Sequence, residues 1–203
     1  MARWSPARPC LAVVSAHDRL TLKLPLDLPT VIVLASGRGD RFAASGGAVP
    51  KLQALLAGKP VLQHTLDAVR ASGLPWHLED AGHPGMGDSI AAAVRATQQA
   101  HGWLILPADL PLIKSDSLRA VAAALQGQEV VVPVYQGRRG HPVAFGAVCG
   151  TGLAQLSGRQ GAASVVRAHK VKELVLDDIG CVTDIDTVDD LAAAARLYAQ
   201  GRF

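Results

Sequence analysis

Val31-Ile32-Val33-Leu34-Ala35-Ser36-Gly37-Arg38-Gly39-Asp40-Arg41-Phe42, with Pro50-Lys51 a few residues on, decides the fold. Four branched apolar residues in a row read as a short strand buried on both faces, the pattern of a parallel sheet covered by helices. The chain then turns into a loop with two glycines, two arginines and, later, a lysine. A buried strand that ends in a glycine-bearing cationic loop presents backbone N–H groups and positive charge to phosphate. The competing reading is a tight turn whose arginines face solvent.

Outward from this stretch the pattern alternates. Val61, Leu62, Leu66 and Val69 recur at helical spacing after Pro60, which fits a first helical position, and Gly73 stops the run. The stretch from Pro75 to Asp80 is a weak strand candidate, and Ile90 and Val94 mark a helix after Gly85-Met86-Gly87-Asp88-Ser89. A second buried strand, Trp103-Leu104-Ile105-Leu106, ends at Pro107-Ala108-Asp109. Ser115 suits the N-cap of a helix with Leu118, Val121 and Leu125 inward. Val130-Val131-Val132-Pro133-Val134 is the third clear strand, with Pro142-Val143-Ala144-Phe145 as a further candidate. A helix over 162–169, a strand at Leu174-Val175-Leu176 and a last helix capped by Thr187 complete the series. Strands alternating with helices predict a single-domain, doubly wound (Rossmann-like), mostly parallel α/β sheet with helices on both faces over 31–203. Residues 1–30 read as an N-terminal extension, a flexible arm or an upstream start, with Leu20-Thr21-Leu22-Lys23-Leu24 as an edge-strand candidate.

Composition narrows the function. The 203 residues are 49% hydrophobic, enough for one sizeable core and short for two. Twenty basic residues against 17 acidic ones leave a net charge of +3, far from the basic excess of a nucleic-acid binder. Cys10, Cys149 and Cys181 are scattered, which argues against a disulfide framework or structural zinc and for a reduced, cytoplasmic setting. The apolar runs are strand-sized, so no membrane span is expected, and the N-terminus does not read as a signal peptide.

Several groups carry chemistry. Asp109 follows a buried strand between prolines, where ligands bind in such sheets, and a carboxylate there suits Mg²⁺. Asp184 and Asp186 share one side of an extended reading and either complete that metal site or complement the last helix N-terminus. Gly85, Gly87 and Ser89 precede a helix and either offer amides to a base or ribose or form a plain turn capped by Asp88. Arg138 and Arg139, with His141 beyond, put forked donors in a tight loop; an exposed basic turn is the alternative. No Gly-Lys-Ser/Thr P-loop and no Gly-x-Ser-x-Gly elbow is present. Gly37-x-Gly39 lacks the third glycine of a dinucleotide fingerprint, and no immediate helix is expected after it. His17, His64, His77, His83, His101 and His169 read as structural or solvated.

In this order the segments resemble the MobA-like nucleotidyltransferases, and among them the molybdenum cofactor cytidylyltransferases. The match runs through Leu34-Ala35-Ser36-Gly37, Arg41-Phe42, Lys51, Gly85-Met86-Gly87-Asp88-Ser89, Asp109-Leu110-Pro111-Leu112, the stretch from Gly137 to Phe145 and Asp184-Ile185-Asp186-Thr187-Val188. Departures are Ser36, Ala43, Val188 in place of proline, a long stretch between Phe42 and Lys51, and residues 73–85, too few for the usual strand–helix–strand. The resemblance implies a nucleotide-diphospho-sugar-transferase-type domain lacking one edge βα unit. It implies CMP transfer from CTP to a phosphorylated acceptor, molybdopterin, with Mg²⁺ as cofactor and a molybdenum hydroxylase as recipient of the product. Under it Lys51, Arg41 and Asp109 are catalytic. Leu34, Ala35, Ser36, Gly37, Arg38, Gly39, Gly85, Gly87 and Ser89 hold the nucleotide, Arg138, Arg139 and His141 the acceptor, and Asp109 with Asp186 or Asp184 the metal. GTP, another phosphorylated acceptor, or a non-catalytic cofactor chaperone are the alternatives.

Overall fold

The computed structural model describes residues 27–201; the edge-strand expectation at residues 20–24, and Cys10, lie outside them. The first strand β1 (Thr30–Leu34) is followed by a short helix α1 (Asp40–Ala44), a two-residue ribbon of β2 (Leu55–Leu56) and β3 (Lys59–Pro60), and helix α2 (Val61–Ser72). Next come β4 (Trp76–Glu79), α3 (Met86–Ala96), β5 (Gly102–Pro107), α4 (Ser115–Ala124) and β6 (Val130–Tyr135). The chain continues through β7 (Arg138–Arg139), β8 (Val143–Gly146), α5 (Gly150–Ala154), α6 (Ala163–Ala168), β9 (Val171–Val175) and α7 (Val188–Ala199).

Alternation along the strands builds two cores. Val31, Val33, Leu104, Leu106 and Val131 face Leu66 and Val69 of α2 and Leu118 and Val121 of α4. Ile32, Trp103, Ile105, Val130 and Val132 face α3, α5 and α6 through Ile90, Val94, Leu153 and Val165. Successive residues of one strand thus serve opposite faces, which is why the strands read as unbroken apolar runs. A third cluster joins Phe42, Leu56, Val61, Leu112 and Ile185 to Ala194 of α7.

The seven-stranded sheet runs β4-β1-β5-β8-β6, with β7 and β9 also paired to β6. β1 is parallel to β4 and β5, and β6 to β9, whereas β8 is antiparallel to both β5 and β6. The sheet is therefore mixed but mostly parallel. β7 and β8 pair with the same edge of β6, and their register slips at Gly140-His141-Pro142, a bulge with a cis peptide before Pro142. Between α2 and α3 the chain supplies one strand only, β4, and it terminates the sheet order among the described residues. That is the shortened edge expected from residues 73–85.

Three local expectations are corrected. A helix does follow Gly39 at once, though α1 is a five-residue turn. Pro60 is the N-cap of α2 rather than its first residue, because it first pairs with Leu55 in the ribbon. Ser115 lies inside α4, whose N-cap is Lys114. The α4 N-terminus is capped from afar: buried Asp178 accepts hydrogen bonds from the Lys114 amide (3.1 Å), the Ser117 hydroxyl (2.6 Å) and the Gly180 amide (2.9 Å). Thr187 caps α7 as expected, in a reciprocal capping box with Asp190.

Candidate active site

A cleft of about 520 Å³ opens at the carboxyl ends of β1 and β5, where ligands sit in open α/β sheets. Its floor is the loop after β1, and β4 holds that loop in place. The Ala35 amide donates to the Glu79 carbonyl (2.8 Å), and the Ser36 hydroxyl donates to the same oxygen (3.1 Å). The amides of Gly37, Arg38 and Gly39 donate to nothing within the described residues. Gly39 has φ +68°, a left-handed conformation that lets the chain enter α1, and a Cβ there would lie 3.3 Å from the Lys51 Cβ. The loop thus leaves unclaimed donors facing a cleft, the arrangement that receives an anion.

Lys51 stands at the centre. Its Nζ lies 2.5 Å from Asp109 Oδ2 and 3.3 Å from Asp186 Oδ1, with side chains only 12%, 15% and 23% exposed. Burial works to lower the Lys51 pKa, but the Asp109 and Asp186 carboxylates together outweigh it and hold the ammonium above its ordinary value. Asp186 also accepts from Arg41 (2.6 Å), an exposed guanidinium. The backbone explains the meeting: the Ile185 amide donates to the Asp109 carbonyl (3.0 Å), which sets Asp186 beside Asp109.

Asp109 Oδ1 is buried and has no hydrogen-bond partner. A buried anionic oxygen without a donor is costly, and it fits a site completed by a cation. The donor set, two carboxylates open to the cleft, suits a hard divalent ion that fills its remaining positions from substrate and water. No group of three or more His, Cys, Asp or Glu side chains forms a metal cage among the described residues.

The structure gathers some of the sequence-predicted residues and leaves others apart. Leu34, Ser36, Gly37, Arg38, Gly39, Arg41, Lys51, Gly85, Ser89, Asp109 and Asp186 line the cleft. Ala35 does not line it; its amide is spent on β4. Gly87 is buried under the loop at residues 157–161, and its amide donates to the Gly158 carbonyl (2.9 Å) instead of facing a ligand. Asp184 is exposed and outside the cleft, because residues 183–187 form no ladder and strand alternation does not apply there. Arg138 and Arg139 sit on exposed β7 away from the cleft; Arg139 pairs with Glu173 of β9 (2.7 Å) and Arg138 donates to the Val182 carbonyl (3.5 Å).

His141 does not line the cleft either, though it lies near Asp109 and Asp184. Burial holds its pKa below the ordinary value, against the pull of Asp109, the Ile105 carbonyl and Asp184, and its Nδ1 is buried without a partner. Two cleft residues escaped the sequence reading. His83, read as isolated, lies at the rim with Nε2 3.1 Å from Oε1 of buried Glu79. Arg159 also lines the cleft; the signal for it was an arginine bracketed by Gly158 and Gly161, as Arg38 is bracketed more tightly by Gly37 and Gly39. Cys149 and Cys181 are free and buried, with thiol pKa values pushed up to about 11 mainly by burial.

Comparison with known proteins agrees with this fold. The bifunctional protein GlmU of Aromatoleum aromaticum is 26% identical over 190 residues, covering 82% of this chain and 38% of that protein; the GlmU of Desulfitobacterium hafniense is 29% identical over 109 residues, 43% and 23%. The chain therefore spans well under half the length of these curated relatives. Among solved structures, Rv0371c of Mycobacterium tuberculosis superposes with a TM-score of 0.71 at 24% identity, over 84% of this chain and 98% of that one, and a second structure of it is a complex with manganese. Molybdopterin-guanine dinucleotide biosynthesis protein A of Archaeoglobus fulgidus gives 0.62 at 17% identity, over 84% and 99%. At these identities the superpositions speak for a shared fold. The family profile goes further: the MobA-like NTP transferase domain matches residues 68–174, more than half of the 203 residues, and the chain belongs to that family.

Proposed function

We propose that this nucleotidyltransferase moves CMP from CTP to a phosphorylated acceptor, molybdopterin, and releases pyrophosphate. The observation that carries the reading is Lys51 held between Asp109 and Asp186 at the mouth of a glycine loop with free amides. Molybdopterin is supported by the Archaeoglobus neighbour, whose name includes it. CTP is supported by the sequence, which has Asp109-Leu110-Pro111 and Asp184-Ile185-Asp186-Thr187 where the guanylyltransferase branch has Asp-Thr-Pro and Asn-Ile-Asn-Thr, while Ser36 belongs to neither branch.

The residues divide the work. The amides from Ser36 to Gly39, with Arg41, hold the triphosphate, and Lys51 offsets the charge that grows on departing pyrophosphate. Asp109 and Asp186 would hold Mg²⁺ or Mn²⁺, the second by analogy with the manganese complex of Rv0371c. When bound, that ion would polarise the transferred phosphoryl group. The acceptor phosphate is already anionic near neutral pH, so the protein needs alignment more than a strong base. A cytoplasmic setting, and delivery of the product to a molybdenum hydroxylase, belong to the same proposal; no described helix is long and apolar enough to cross a membrane.

The test is thermal shift against the four nucleoside triphosphates with Mg²⁺ or Mn²⁺, followed by pyrophosphate release with molybdopterin. CTP should stabilise most, and molybdopterin should trigger release. Asp109→Ala should lower turnover about 100-fold or more while circular dichroism stays native. Preference for GTP, or release only with a sugar phosphate, redirects the substrate assignment; triphosphate binding without release makes the protein a carrier.

A further inference from the structure

Charge pairing in the cleft is uneven. Among the described residues, four cationic side chains line it: Arg38, Arg41, Lys51 and Arg159. Three already face carboxylates: Arg38 lies 3.7 Å from Asp40, Arg41 2.6 Å from Asp186, and Lys51 2.5 Å from Asp109. Arg159 has no hydrogen bond or ion pair among the described residues. An exposed arginine without a partner is ordinary on a surface; one that lines a ligand cleft is not.

The loop that carries it is built into place. Gly158 accepts from the Gly87 amide (2.9 Å), and its own amide donates to Asp88 Oδ2 (3.0 Å). The helix start and the loop touch backbone to backbone, since a Cβ on Gly85 would lie 2.2 Å from the Gly158 carbonyl oxygen and one on Gly87 2.7 Å from that of Ser157. The glycines before α3 are therefore a seat for the loop at residues 157–161. Arg159 enters from the α3 and α5 side, whereas Lys51 packs with α2 on the other side of the sheet.

We infer that Arg159 binds the phosphate of the acceptor, the second substrate, and so helps to select a phosphomonoester. This rests on the nucleotidyltransferase reading: such a reaction brings two phosphate-bearing molecules together, and the first already has the glycine loop, Arg41 and Lys51. A guanidinium with all its donors free matches a phosphate dianion by forked hydrogen bonds. Held by this cation, the acceptor phosphate keeps its charge while one of its oxygens faces the phosphoryl group being transferred.

The experiment compares the full chain with Arg159→Ala and Arg159→Lys. Inorganic phosphate is titrated by ³¹P NMR, and CTP with Mg²⁺ is titrated separately by calorimetry. The expected result is phosphate binding weakened about tenfold or more in Arg159→Ala, partly restored in Arg159→Lys, with CTP affinity within about twofold of the parent. Equal phosphate binding by the parent and Arg159→Ala, or no phosphate binding by the parent, overturns the inference. An equal loss for CTP also overturns it, since the cation would then serve the nucleotide. If the parent binds phosphate but no nucleoside triphosphate, the parent reading fails, and with it the acceptor assignment, while the two variants still decide whether Arg159 is a phosphate ligand.

Discussion

Lys51 neutralises Asp109 and Asp186 together, the part that a divalent cation would take in the proposed reaction. Its ammonium and a metal ion therefore compete for the same two carboxylates. Lys51→Met should bind Mn²⁺ about tenfold more tightly than the parent in a calorimetric titration, although turnover collapses. The same pairing has a pH signature. Because the folded-state pKa of Lys51 is raised above its ordinary value of 10.5, the stability it contributes is full below that value and is lost as pH climbs through the folded-state pKa. Lys51→Met should flatten the alkaline arm of the urea-midpoint profile above about pH 10. None of this pairing was legible in the sequence. Lys51 and Asp109 were each legible from a neighbouring strand, but their contact depends on a separation of 58 residues that only the fold closes.

At the scale of elements, helix starts separate what local sequence determines from what it leaves open. Thr187 was readable as a cap because both partners of its capping box lie within one turn. Ser115 was misread because the cap of α4 comes from Asp178, far along the chain. Asp178→Ala would leave three donors without their acceptor in a buried place and should cost about 3 kcal/mol in urea denaturation, with cleft residues untouched. The acidic residues before α7 divide in the same way. Local alternation paired Asp184 with Asp186, but the Ile185 hydrogen bond to Asp109 and the Asp190 cap fix the backbone instead and turn only Asp186 inward. The arginines of β7 lie away from the cleft, Arg139 carried by strand pairing to Glu173 and Arg138 to the Val182 carbonyl, partners the sequence does not announce.

Over the whole molecule, the alternation of apolar strands with helices was enough to give the layers, and the short span at residues 73–85 was enough to show that an edge unit is absent. The antiparallel β8 was not legible, since a strand of four residues carries no sign of its direction. Contact between the distant loop at residues 157–161 and the start of α3 was equally hidden, because glycines announce close approach without naming what approaches. That contact is testable: Gly85→Ala forces a Cβ against the Gly158 backbone, so the loop must move. It should lower the melting temperature by several degrees, an overpacking cost of about 1–3 kcal/mol, and weaken phosphate binding as Arg159→Ala does. Combining the two substitutions should add little further loss of phosphate binding.

The cleft's charges also sum over the molecule. Its four cations face three carboxylates, those of Asp40, Asp109 and Asp186, so the resting mouth is almost neutral. Long-range attraction for a polyanion is correspondingly weak, and the rate of first encounter depends little on ionic strength. Grip develops only after arrival. Under the proposed function, a triphosphate that comes with its own divalent counterion would offer the carboxylates a replacement partner and free the Lys51 ammonium to turn toward it, so discrimination among ligands would fall on departure rates rather than on capture.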